Sequence, residues 1–144
     1  MIASLVATVS AGLFAGAAIY VSAVEHPARM SCGAELALRE FAPSYRRGTI
    51  MQASLALLGG FAGFVASWNQ RDPRLLVASL LLVSVVPFTL LIILPTNRQL
   101  LDPALDAGSS RAVKLLTRWG RLHAVRSLLS LLAFLIFLWR VANG

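Results

Sequence analysis

A single cysteine, Cys32, stands in the 144-residue sequence, so neither an intrachain disulfide nor a multi-cysteine metal centre can be built from it. Charge is almost as scarce. Only 13% of the residues are Asp, Glu, Lys or Arg against 58% hydrophobic, and a mean hydropathy of +0.75 excludes a soluble domain of this size. Acidic side chains number six against thirteen Lys and Arg, for a net charge of +7. In so apolar a chain that excess sets orientation and meets anionic lipid, so lipid is an expected partner and nucleic acid is not. Histidine occurs twice, at His26 and His123, and any imidazole chemistry rests on those two. No Lys or Arg precedes the first apolar run, Met1 to Ala18, which therefore reads as an uncleaved span rather than a secretory signal.

What the sequence does have is apolar runs long enough to cross a bilayer. They cover about residues 3–24, 49–68, 75–94 and 122–141, the first reaching about 33 Å at ~1.5 Å per residue. The expected fold is all-α, an integral membrane four-helix bundle in which residues 1–144 form a single transmembrane domain. Pro27 biases His26 away from helix and should end the first span, while Pro87 should kink the third and Pro95 end it. Asn69 to Pro73 forms a tight turn between spans two and three. On the other side, Ser31 to Phe41 carries apolar residues at helical spacing before Pro43, which predicts a short interfacial helix. Ser109 or Ser110 can cap a helix that runs through Arg118 into the fourth span, and Trp139 with Arg140 suits an interfacial anchor.

Basic residues divide unequally between the two sides. Arg29, Arg39, Arg46, Arg47, Arg98, Arg111, Lys114, Arg118, Arg121 and Arg126 share one side, and only Arg71, Arg74 and Arg140 the other. That ratio predicts a plasma (inner) membrane protein with the ten facing the cytoplasm and both termini outside. Gly12 with Gly16, and Gly59 with Gly63, predict close approach of spans one and two, with a homo-oligomer seam as the other use of such motifs.

The polar residues of the spans gather at the cytoplasmic ends. Helical spacing puts Ser22 and His26 on one face of the first span, Tyr45, Thr49 and Gln52 on the second, and Trp119, His123, Arg126 and Ser130 on the fourth, while Asn97 closes the third. With Glu25, these side chains reach a common depth, and ionisable groups there mark a site. Three uses compete. In the first, the groups only join helix ends, with Arg126 paired to Glu25, Asn97 capping the third helix and the histidines satisfying each other. In the second, His26, His123 and Glu25 hold a metal, or the histidines hold haem, although no haem-attachment motif is present. In the third, the cluster is a pocket for an amphipathic organic molecule: His26 or His123 removes a proton, Arg126 and Asn97 stabilise the anion, and Tyr45, Gln52 and Trp119 line the pocket. A transporter fits less well, because the mid-membrane stretches lack ionisable residues and no inverted repeat is visible.

The stretches Glu25-His26-Pro27-Ala28, Phe41 to Arg47 (Phe-Ala-Pro-Ser-Tyr-Arg-Arg), Leu94-Pro95-Thr96-Asn97 and Arg118 to Arg126 (Arg-Trp-Gly-Arg-Leu-His-Ala-Val-Arg) together resemble the anthrone oxygenase-like integral membrane family over nearly the whole chain. The resemblance implies a monooxygenase that inserts oxygen at the activated methylene of a flat, apolar, polyketide-type aromatic. Loss of a proton from that carbon gives a delocalised anion that can pass an electron to oxygen, so the implied chemistry does not oblige a cofactor. The alternative is a non-enzymatic membrane protein that binds a small molecule, haem or metal.

Overall fold

The computed structural model describes residues 1–143. Four helices carry the chain: α1 Ile2–Ser31, α2 Ala34–Gln70, α3 Pro73–Leu100 and α4 Ser110–Ala142, each long and apolar enough to span a membrane. α1 packs on α2 and α4, and α3 packs on the same two, so the helices close a ring in up-down-up-down order. At ~1.5 Å per residue the 37 residues of α2 reach ~55 Å, well beyond a ~30 Å hydrocarbon layer. Its first turns, and those of α4, therefore extend past the spans at the basic end.

Two helices run on where the sequence predicts a stop. α1 does not end at His26, and α3 does not end at Pro95. In each, a five-residue π-helical turn, Val21–Glu25 in α1 and Thr89–Ile93 in α3, precedes the proline by one residue. The intervening residue bonds five back: His26 N–H to the Val21 carbonyl and Leu94 N–H to that of Thr89. A proline cannot donate to the carbonyl four residues earlier and its ring crowds that group, so widening the preceding turn lets the helix pass. Pro43 and Pro87 likewise lie within helices. The expected interfacial segment is helical, but it is the start of α2 rather than a separate element.

The ends are set by local chemistry. Gly33, at φ 94°, turns the chain between α1 and α2 in a conformation that favours glycine. Ser109 caps α4, its Oγ accepting from Ala112 N–H at 3.2 Å, as expected. At the opposite end Asp72 caps α3 by accepting from Arg74 N–H at 2.9 Å, and accepts from Arg140 Nε at 2.6 Å, tying that turn to the end of α4. Arg74 lies over Trp139, 4.7 Å from the ring.

The bundle is inside-out relative to a soluble protein. Leu13, Phe61, Leu91, Leu128 and Leu135 face outward, while small residues such as Ala7, Ala11, Ala56 and Ala133 pack inside around Phe14 and Phe137. The close approach of α1 and α2 occurs at Gly59, where a Cβ would lie 2.9 Å from that of Ser10. Gly12 instead makes room for Phe134 of α4. A second apolar cluster, including Ala37, Phe41, Ile93, Leu100, Leu116 and Trp119, caps the basic end. Along α2 and α4 the polar residues fall between these two clusters.

Candidate functional site

The polar layer is built around Trp119. Its buried indole lies 4.8 Å from the His123 ring in a stacked arrangement, 5.2 Å from His26 at 55°, and edge-on to Phe41 at 5.4 Å. The i, i+4 spacing on α4 brings Trp119 and His123 together, whereas His26 arrives from α1. Gly120 makes that arrival possible: a Cβ there would stand 2.5 Å from His26 Nε2 and 2.6 Å from Cδ2. His26 thus packs on the α4 backbone, with its buried Nδ1 unpartnered.

His123 is held by a chain of hydroxyls. Ser22 Oγ, on the widened turn of α1, lies 2.9 Å from His123 Nδ1 and 2.8 Å from Ser127 Oγ, which donates to the Ala18 carbonyl at 2.9 Å. All three contacts are hydrogen bonds only if each donor supplies one proton in sequence. His123 Nδ1–H then donates to Ser22, Ser22 to Ser127, and Ser127 to the carbonyl. This assignment, made from the network, leaves His123 Nε2 with the free lone pair.

Arg126, one turn further along α4, donates to Gln52 Oε1 at 2.8 Å and sits 5.6 Å from the Phe14 ring. It makes no ion pair among the described residues, and its buried Nε has no partner. Glu25 does not reach it. Instead Glu25 accepts from Arg29 on the next turn of α1 and from Ser44 Oγ at 3.2 Å, so the expected Arg126–Glu25 pair is replaced. Arg29 also has Glu40 Oε2 3.0 Å from its Nε, a contact without hydrogen-bond geometry, and its guanidinium carbon lies 5.9 Å from the Trp119 ring. Arg29 is buried and compensated by carboxylates, whereas Arg126 is half-buried and is not. Such a charge is costly unless an anion joins it.

Asn97 is 1% exposed, with its Oδ1 unpaired, so it presents an acceptor rather than capping its helix. Tyr45, Gln52, Asn97, Trp119, His123 and Arg126 line one cavity of about 50 Å³. All six were expected at the site. Glu25 and His26 were also expected but lie outside the lining, and Glu25, His26 and His123 do not form a metal-ligand set. Both rings engage Trp119, Glu25 turns to Arg29, and no group of three or more His, Cys, Asp or Glu suited to a metal occurs among the described residues. At about 50 Å³ the cavity is far below the ~300–1,000 Å³ of sites that bury small molecules, and in this conformation it does not enclose a porphyrin or a tricyclic aromatic.

Sequence reasoning missed Arg29, Ser44 and Ser127. Glu25 and Arg29 stand four apart, a helical ion-pair spacing, but that signal is lost once the helix is ended at His26.

Four spanning helices closed around a buried polar layer define a helical membrane protein with an internal candidate site. Residues 41–136 match the anthrone oxygenase family, and the chain belongs to that family. It is 27% identical to an anthrone oxygenase of Claviceps purpurea over 97% of this chain and 88% of that protein. It is 29% identical to anthrone oxygenase tpcL of Aspergillus fumigatus over 98% of this chain and 94% of that one. No solved structure matches the chain.

Proposed function

We propose that the protein oxygenates an apolar, phenolic polycycle of the anthrone type, with the proton-transfer step in the layer between the two hydrophobic clusters. The observation that carries this reading is the pairing of a base and an unsatisfied cation on one cavity: His123, and Arg126 without a carboxylate partner. Family membership supplies the reaction class.

In the proposed sequence His123 Nε2 takes one proton from the activated methylene. The electron pair left on carbon delocalises into the ring system, and Arg126 faces the negative charge that develops at the methylene edge and on the oxygen bound there. Asn97, Trp119 and Tyr45 line the cavity around that reacting edge. The carbanion passes one electron to dioxygen and the two radicals combine as a carbon hydroperoxide. Loss of water leaves a ketone: the methylene and O2 become C=O and H2O. The basic end faces the cytoplasm, by the excess of Arg and Lys on that side, in a plasma membrane that supplies the substrate.

The test is quinone formation and oxygen uptake with a supplied anthrone, measured above spontaneous oxidation on protein in lipid nanodiscs. His123→Ala should lower the protein-dependent rate by about 10²- to 10⁴-fold, the usual range for a general base. A wild-type rate no higher than that of empty nanodiscs overturns the reading.

A further inference from the structure

The cavity that holds His123 and Arg126 is an order of magnitude smaller than its neighbour. A groove of about 510 Å³ runs between α1 and α2 on the outside of the bundle, and it shares Val21, Ser44, Gly48 and Gln52 with the cavity of about 50 Å³. Pockets that bury small molecules usually span ~300–1,000 Å³, so the groove has the capacity the cavity lacks.

The groove is amphipathic along its length. Ala17, Tyr20 and Met51 line its apolar part, with Tyr20 55% and Met51 47% exposed, while Glu40 and Arg47 stand nearer the start of α2 at the basic end. A flat aromatic carrying hydroxyls matches that gradient: rings against Tyr20 and Met51, hydroxyls toward the charged rim. Gly48 marks the junction. It belongs to both linings, and a Cβ built on it meets nothing within 4 Å, so the space beside it is open. The widened turn of α1 serves both sides, with Val21 lining groove and cavity and Ser22 bonded to His123.

We infer that the α1–α2 groove is the seat of the organic substrate, entered sideways from the bilayer, and that the small inner cavity receives only its reacting edge and a dioxygen molecule. This inference rests on the proposed oxygenase reading. It assigns to Gly48 the role of a passage between groove and cavity.

Two measurements on the full chain in nanodiscs test it. In the first, Gly48→Ala and Gly48→Leu are compared with wild type in anthrone oxidation. Replacing a helix-interior glycine by a better helix former does not threaten the fold. KM should rise with side-chain size, at least tenfold for Gly48→Leu, with thermal stability no lower than wild type. In the second, an anthraquinone, whose photoexcited carbonyl abstracts nearby hydrogen atoms and cross-links, is irradiated on the protein and the modified residues are located by mass spectrometry. Labelling at Tyr20 or Met51 supports the seat, all the more if Gly48→Leu abolishes it. An unchanged KM in an active Gly48→Leu protein overturns the groove while leaving the oxygenase reading intact. So does labelling confined to other lipid-facing surfaces, such as Leu132 to Trp139. Absence of wild-type turnover overturns both.

Discussion

Ser22 Oγ lies 2.9 Å from His123 Nδ1, a contact that joins α1 to α4 across more than a hundred residues of sequence. Ser22 lies on the turn Val21–Glu25, which is widened ahead of Pro27. Removing the hydroxyl in Ser22→Ala should release the ring to either tautomer without unfolding the bundle. A hydrogen bond of about 0.5–1.5 kcal/mol converts to a loss of roughly 2- to 10-fold in kcat. Nitrogen NMR of labelled histidine checks the cause: a single Nδ1–H tautomer at His123 in wild type, a mixture in the variant.

Arg126 should trade stability for activity. Arg126 is half-buried beside Gln52 and Phe14, with its Nε buried and no carboxylate, so Arg126→Met removes a partly desolvated charge at the cost of one hydrogen bond. Melting temperature should hold or rise, while turnover falls by about 10²- to 10³-fold, the scale for loss of one anion-stabilising group. A large loss of stability would show that Arg126 mainly joins helices.

Gly120→Ala should damage packing rather than chemistry directly. The new methyl would stand 2.5 Å from His26 Nε2, with the α4 backbone behind it, so His26 must leave its slot. Overpacking of this kind costs about 1–3 kcal/mol, readable as a lower melting temperature. His26→Ala in the Gly120→Ala background should recover part of that loss, because it vacates the contested space.

Asp72 gives the opposite end of the bundle a pH dependence. The Arg74 backbone N–H, and secondarily the Arg140 side chain, hold its carboxyl below the ordinary value of 3.8. The unfolded chain therefore binds the proton more readily, and stability from this group is present above 3.8 and lost as pH falls through the lower folded value. Asp72→Asn keeps a capping side chain but loses the ion pair. The wild-type advantage over it in thermal unfolding should be full at pH 6 and shrink steadily below pH 4.

The spans and about half of the cavity lining were legible in the sequence for related reasons. Apolar runs of bilayer length announce the helices, and the spacing of Trp119, His123 and Arg126 announces a polar stripe on α4. Local rules failed at Pro27 and Pro95. The residue before a proline is biased against helix, but a π turn satisfies that residue five positions back, and tertiary packing keeps the helix going. That single difference hid Arg29, which is buried only because α1 continues, and with it the true partner of Glu25. The choice of Gln52 over Glu25 by Arg126 depends on how α1, α2 and α4 rotate about their axes, which spacing along one helix does not determine.

The proposed removal of a methylene proton by His123 inside the polar layer can be isolated by withholding oxygen. Anaerobic protein in nanodiscs, given an anthrone in deuterated water, should exchange the methylene protons for deuterium well above the rate with empty nanodiscs, and His123→Ala should abolish that excess. Exchange at an undiminished rate in His123→Ala, or oxygenation by wild type with no protein-dependent exchange, would contradict the assignment.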